Sequence, residues 1–363
     1  MVRKLNRIRV LFNVFADVDN TNAQSLNARD LALRLDPKRF TSTLFVTSRP
    51  DPRLLNRPGV RLIRLPRRLR SLVIAPHLVW GPYDILFYPP LDHLLVWYNL
   101  ASWLGTPKAI VMTVEGMAQQ IEALPPKIMD RFLKLLRTAD ATYAISPFVA
   151  ETVLREFGMT IGSIPIGVDT SLFAPTDRAG RQEPAKVLCV ASIQPHKQIH
   201  LLLDLARRIP AQRAEFHVIG DAIGSTSYRD ALLKRKQEEN LRHVSFHGRL
   251  SQPEVSQWMR ACDIFVLPSQ LEGTPKVTLE AAATGLPCIV FRDYGTPSVL
   301  DGVTGFQVKD LDEMTERLWL LLNDDEFRLR LGLAAIRHIQ SFNWDAVTKQ
   351  WEEAFEAAVG AKT

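Results

Sequence analysis

Cysteine is scarce in this chain. Cys189, Cys262 and Cys288 are an odd number, spread wide, and each sits inside an apolar run. Neither a disulfide framework nor a metal-binding pattern follows, and a reducing cytoplasm is the expected compartment. Long apolar runs are lacking too: the longest uncharged stretches, Ser71 to Tyr83 and His93 to Pro107, fall well short of the roughly 18 residues a membrane-spanning helix needs. The N-terminus is basic and then apolar, but its short run has no small-residue cleavage site and leads into Asp17 and Asp19, so it reads as a first core strand rather than a secretory signal. There is no strong internal repeat and no low-complexity tract. An aromatic-rich basic strand or helix-turn-helix pattern is missing, which argues against a nucleic-acid partner.

What is present is an ordinary globular composition, with 363 residues, 46% of them hydrophobic and 23% charged. At about 150 residues per domain this length predicts two domains, each able to bury its own core. The net charge of +6 is unevenly placed. Residues 1–180 hold 23 Lys and Arg against 15 Asp and Glu, or +8, whereas residues 181–363 hold 22 against 24, or −2. The densest cluster is RLIRLPRRLR, in which Arg61, Arg64, Arg67, Arg68 and Arg70 interleave with Leu62, Ile63, Leu65 and Leu69. Cations alternating with large apolar side chains suit a surface that meets anionic lipid headgroups, and equally a solvated basic face or surface strand.

Short β-branched runs alternate with longer helical patterns through both halves. RIRVLFNV, TSTLFVT, VRLIRL, DILFYP, KAIVMTV and ATYAIS read as strands in the first half, and KVLCVAS, EFHVIGD, HVSFHG, DIFVLPS and PCIVF in the second. This alternation predicts an α/β chain with two Rossmann-like doubly wound domains. Two prolines, a glycine and several charges interrupt the periodicity over residues 171–184, so the expected division is an N-terminal domain of residues 1–175, a second of 176–345 and a closing helix of 346–363. Trp344, Val347, Trp351 and Phe355 recur at helical spacing there, giving that helix one face to pack, possible back on the first domain.

The strongest chemical signal is LPSQLEGTPKVTLEAAATGLPCIVF, residues 267–291. A strand ends, a loop containing Gly273 and Pro275 follows, a helix begins, and Gly285 and Pro287 return the chain to a strand. Backbone N–H groups at such a helix N-terminus are unpaired within the helix, so they and the helix dipole favour phosphate or sugar oxygens. Glu272 in the loop and Glu280 in the helix would accept hydrogen bonds from sugar or ribose hydroxyls.

EGTPKVTLEAAATGLPCIV resembles the paired-glutamate motif of glycosyltransferase family four (group 1), the retaining, nucleotide-sugar-dependent enzymes of the GT-B fold, whose two Rossmann-like domains face each other across a cleft. The resemblance runs through TADATYAISPFVAETVLREFG, IPIGVDTSLFAP, KVLCVASIQPHKQIHLLLDLA, EFHVIGD, HVSFHGRL and CDIFVLPS, about 220 residues in matching order, and is loose over the first 130. It implies that Glu280 holds the nucleotide ribose, that Glu272 lies close to the transferred sugar, and that Gly273, Thr274 and Pro275 bring backbone to the sugar and diphosphate. Lys197 matches the lysine that neutralises the departing diphosphate. Arg249 and Leu250 fall where the nucleobase packs, Gly220 and Asp221 at another strand end, and Ser192 in the phosphate loop. A UDP- or GDP-sugar donor, no cofactor, independence from metal, and a saccharide or lipid-linked acceptor in cell-surface polysaccharide or glycolipid synthesis are the expected chemistry, on the cytoplasmic side with peripheral contact to the inner face of the membrane.

Three departures from the family pattern keep other readings open. Ala191 and Ser192 stand where members commonly have Gly-Arg. TVEGMAQ offers Glu115 where the acceptor half commonly has a histidine near the reacting sugar, so Glu115 is a catalytic candidate and equally a capping or salt-bridged carboxylate. DVDNTNAQS replaces the glycine-rich loop after the first strand, with Asn20 and Asn22 able to take its turn conformations. A non-catalytic GT-B scaffold that binds nucleotide or a partner protein, or a sugar-nucleotide epimerase, are the alternatives. Asp17 and Asp19 have the shape of a metal-binding acidic pair and are read as a turn.

Overall fold

The computed structural model describes the chain except residues 1–6, 19–22, 67, 88–94, 105–108, 117–124, 177–182 and 362–363. Asn20, Asn22, Asp19 and Arg67 lie outside the described residues. Two compact units form. One comprises Met1–Ile166 with Trp344–Thr363, the other Gly167–Asn343, so the closing helix belongs with the first half of the chain.

In the first unit, β1 (Ile8–Phe15), β2 (Phe40–Val46), β3 (Val60–Arg64), β4 (Ile85–Phe87), β5 (Ala109–Val114), β6 (Ala141–Ala144) and β7 (Gly162–Ser163) make a sheet of order β3-β2-β1-β4-β5-β6-β7. Every pairing is parallel. Helices cover a parallel sheet on both faces, which is why Ala109–Val114 is buried along its whole length. β3 is an edge strand, with Arg61 and Arg64 exposed and Leu62 and Ile63 half-buried. Charges on an edge discourage further strand addition.

The closing helix, Trp344–Gly360, seals this core. Trp351 meets Phe87 edge-on at 4.9 Å between ring centroids and Tyr143 at 5.4 Å, and Phe355 meets Phe87 at 5.3 Å. Edge-to-face rings add to the area they bury. Arg39 reaches the same helix with ion pairs to Glu352, at 2.8 Å, and to Glu356, while Glu352 also accepts the Asp36 N–H at 2.8 Å. Asp17 is a loop clamp. Its carboxylate accepts the N–H groups of Thr47, at 2.9 Å, and Ser48, at 2.6 Å, together with both hydroxyls. Burial pushes its pKa up, but these four bonds outweigh burial and hold it below the usual value.

The second unit has six parallel strands, β8 (Ala185–Val190), β9 (Ala214–Ile219), β10 (Val244–Phe246), β11 (Ile264–Leu267), β12 (Cys288–Phe291) and β13 (Gly305–Val308), in the order β10-β9-β8-β11-β12-β13. The three thiols are free and buried, and burial raises that of Cys189 to about 12. On β9, His217 Nδ1 lies 3.1 Å from His247 Nε2, and both rings stack on Trp258.

Two predictions follow from these cores. Trp351→Ala removes the ring that joins β4 and β6 to the closing helix and is expected to cost about 3–5 kcal/mol of unfolding free energy, read by chemical denaturation. Burial, together with the neighbouring His247, lowers the pKa of His217, and burial lowers that of His247. A depressed histidine leaves the unfolded state binding more protons, so its stabilising contribution is present above about pH 6.5 and is lost as pH falls below it. The fall in Tm between about pH 7 and pH 5 should therefore be shallower in His217→Gln/His247→Gln than in the parent. Equal slopes would show that the pair is not responsible.

Candidate donor-binding site

In a doubly wound sheet, ligands gather at the carboxyl ends of strands where the order reverses. The second sheet reverses between β8 and β11. The chain leaving β8 runs through Ser192 to Lys197, and the chain leaving β11 runs to Glu272. Adjacent strands thus bring together residues 75 positions apart. Lys197 Nζ and Glu272 Oε1 form an ion pair, with only 17% and 12% of the two side chains exposed.

Backbone bonds lace the two loops around that pair. The His196 carbonyl accepts the Gln270 N–H at 3.0 Å and the Ser269 hydroxyl at 3.4 Å, and Gln198 reaches Gln270 at 3.3 Å. Burial, then the charge of Lys197, lowers the pKa of His196, so its surroundings disfavour the charged ring. Ser192 contacts Gln194 at 3.3 Å. Gly220 has φ +139°, and a Cβ there would meet the Ala191 carbonyl oxygen at 1.8 Å, so only glycine allows β9 to leave so close to this loop. Asp221 accepts from Arg229 at 2.8 Å and from the Ala222 N–H at 2.7 Å, which holds its pKa below the usual value. Arg249 is exposed and Leu250 half-buried, directly after Gly248.

The Lys276–Ala283 helix starts at Pro275 with no side chain capping it, so its first N–H groups face the loop that carries Glu272, Gly273 and Thr274. Thr274 is 92% buried, and its hydroxyl has no hydrogen-bond partner among the described residues. Glu280 is buried at 5% exposure, among Leu279 and Ala281–Ala283. A chain of buried hydroxyls sets the position of this helix start. Thr278 Oγ1 donates to the Pro275 carbonyl at 2.7 Å and pairs with Ser298 at 2.6 Å, which pairs with Thr296 at 2.9 Å.

The structure therefore assembles Lys197, Glu272, Gly273, Thr274 and Pro275 at one end of one sheet, with Glu280 on the adjoining helix. Glu115 belongs to the first unit, where it follows β5 and lines a small pocket with Asn27, Thr113 and Trp344. Sequence reading missed Tyr294. It follows β12, is fully buried, and its hydroxyl has no hydrogen-bond partner among the described residues. Burial, then the charge of Glu272, raises its pKa well above the usual value, so a neutral O–H sits within electrostatic reach of that carboxylate. Only its place after a strand end could have pointed to it.

Residues 175–338 match the family model described as glycosyl transferases group 1. The match spans less than half of the chain. The chain is 30% identical to sulfoquinovosyl transferase SQD2 of Arabidopsis thaliana over 63% of its own length and 46% of that protein. It is 26% identical to a D-inositol 3-phosphate glycosyltransferase of Streptomyces avermitilis over 93% of its length and 82% of the relative. Among solved structures, Anabaena HepE in complex with UDP and glucose aligns with a TM-score of 0.81 and 18% identity, covering 96% of this chain and all of that one. The fold is that of the GT-B glycosyltransferases.

Tyr294→Phe deletes an unpaired buried hydroxyl and is expected to leave unfolding free energy unchanged or raise it by up to about 1 kcal/mol. A loss of more than about 2 kcal/mol in chemical denaturation would mean that the hydroxyl has a partner in the folded protein.

Proposed function

We propose that this chain is a retaining glycosyltransferase that moves a sugar from a UDP- or GDP-sugar to a saccharide or lipid-linked acceptor in cell-surface polysaccharide or glycolipid synthesis, without a metal, on the cytoplasmic side of the membrane. The observation that carries this reading is the Lys197–Glu272 pair beside an uncapped helix N-terminus and an unpartnered, buried Thr274 hydroxyl. Nucleotide-sugar use by group 1 relatives supports the choice of donor.

The donor occupies the second unit. Glu280 accepts the ribose hydroxyls and Arg249 and Leu250 flank the base, while the Lys276–Ala283 helix start and Thr274 meet the phosphates and sugar. A desolvated cation without an anion is costly, so Glu272 neutralises Lys197 until the diphosphate takes its place. That exchange frees the Glu272 carboxylate to accept hydrogen bonds from the sugar hydroxyls. The first unit, with its excess of positive charge, takes the acceptor, and Glu115 sits at its pocket.

In the transfer step the bond between the anomeric carbon and the diphosphate oxygen breaks as the acceptor hydroxyl bonds to the same face of that carbon. The hydroxyl proton passes to the departing phosphate oxygen. Negative charge grows on the leaving group, where Lys197 and the helix N-terminus are already oriented, so stabilisation is greatest in the transition state. Positioning supplies much of the rest, and no protein nucleophile is needed.

Ser192 motivates one other reading, a scaffold that binds nucleotide without transferring sugar, since the chain lacks a second cation at that position. Calorimetric titration with UDP, GDP and their sugars, paired with donor-hydrolysis and transfer assays, separates the two. Lys197→Ala and Glu272→Ala are each expected to lower turnover by about 100- to 1,000-fold with the fold retained. Near-normal turnover in either variant would sink the site, and binding with no hydrolysis or transfer to any acceptor would favour the scaffold. The anomeric configuration of the product, read by NMR, tests retention.

A further inference from the structure

Two helices of the first unit carry an apolar outer face. In Arg70–Trp80 the positions exposed to solvent are Arg70, Leu72, Pro76 and Trp80, and the last three recur every four residues, which places them on one stripe of the helix. Leu69 precedes them, 71% exposed, and Leu72 and Trp80 are 66% and 68% exposed. At 1.5 Å per residue, the row from Leu69 to Trp80 is about 16 Å long. Its opposite face, Ile74, Ala75, Leu78 and Val79, fills the core. The helix Leu95–Trp103 packs beside it and exposes Val96, Trp97 and Trp103, the last at 81%, with Leu104 following. Single exposed apolar side chains need no explanation, but a row of them on one helix, beside a second helix with three more, does.

Cations gather just before this face in the sequence, at Arg64, Arg68 and Arg70. Between Leu65 and Val114 the sequence has only two acids, Asp84 and Asp92. Asp84 is taken by Arg9. The first turn of Arg70–Trp80 has no acid, and Arg68 and Arg70 stand at its N-terminus, where a cation opposes the helix dipole. Arg70 lies over the Phe15 ring at 5.8 Å, which gives it a packing role, and the helix dipole accounts for neither arginine. Arg64, on the edge strand β3, is exposed just upstream.

We propose that this face docks on an anionic lipid bilayer, with Leu69, Leu72, Trp80, Val96 and Trp103 entering the headgroup and acyl boundary and Arg64, Arg68 and Arg70 meeting the lipid phosphates. Leucine and tryptophan beside arginine is the composition that interfacial helices use, since indole rings tolerate one wet and one apolar side. Charge argues against a second copy of the chain. A twofold interface sets the same patch against itself, and arginines would then face arginines with few acids to offset them. The docked helices lie on the membrane rather than across it, since no helix among the described residues is long and apolar enough to span. The inference deepens the peripheral-membrane part of the proposed function and stands apart from sugar transfer.

Co-sedimentation of the full chain with vesicles of phosphatidylcholine alone and of phosphatidylcholine mixed with phosphatidylglycerol tests it. The expected result is binding to the mixed vesicles that weakens as salt rises. Binding should fall about tenfold or more both in Leu72→Ser/Trp80→Ser/Trp103→Ser and in Arg64→Glu/Arg68→Glu, with UDP affinity and thermal unfolding unchanged. Should the serine variant misfold, quenching of the parent protein's tryptophan fluorescence by brominated lipid decides instead, and no quenching overturns the proposal. So do an absence of binding by the parent, equal binding to neutral vesicles, binding that either variant leaves intact, and a homodimer that the serine variant dissociates. UDP binding and transfer to a soluble acceptor are read separately, so a chain that docks but transfers nothing overturns the transfer reading alone, and one that transfers without docking overturns this one.

Discussion

The order of strands in the second sheet is the constraint from which the rest of the donor side follows. β8 and β11 are neighbours although three helical crossovers separate them in sequence, and the chain leaves each strand at the same end. Without that adjacency, Lys197 and Glu272 would have no reason to meet. With it, a cation and a carboxylate are held together with little of either side chain exposed. Such a pair is weak evidence for stability, because desolvation takes back much of the Coulomb gain. Under the proposed function it is a cation kept in readiness: the lysine is already oriented and partly dehydrated, and an incoming phosphate would replace one anion with another rather than create a new buried charge.

Rigidity around this pair comes from short-range constraints. Gly220 lets β9 leave against the Ala191 carbonyl, and the Thr278–Ser298–Thr296 hydroxyl chain sets the start of the helix that carries Glu280. Both fix backbone rather than side chains. That suits the proposed site, in which N–H groups would meet the phosphates, since a main-chain donor cannot swing away as a long side chain can. Thr274 and Tyr294 are exceptions to the general rule that buried polar atoms are paired, and both lie in or near the loop of Glu272.

Much of this was legible in the sequence, for definite reasons. Parallel strands buried on both faces write themselves as continuous β-branched runs, so β1, β8, β9, β11 and β12 stand out. β7, two exposed residues of Gly-Ser, and β13, four residues around a glycine and a glutamine, do not carry that signal. Glu272, Gly273, Thr274 and Glu280 stand out in the sequence because loop and helix adjoin there, and the family resemblance supplies the roles proposed for them. The direct contact of Lys197 with Glu272, and the place of Tyr294, depend on strand order and on what surrounds the end of β12, neither of which periodicity records. RLIRLPRRLR was read as one cluster, whereas the structure divides it: Arg61 and Arg64 ride an edge strand, and Arg68 and Arg70 flank a helix.

That division changes the meaning of the charge imbalance between the halves. Segment 71–83 is too short to cross a bilayer, but length is not its only property. Its helix buries Ile74, Leu78 and Val79 and exposes Leu72, Pro76 and Trp80, so it is apolar on two faces at once. A soluble helix gains nothing in folding free energy from its second apolar face, and the arginines at its N-terminus oppose its dipole. Both features are costs to the isolated chain. They become gains together against a surface that is apolar beneath and negative above, and the densest cluster of cations in the first half adjoins this helix in the sequence.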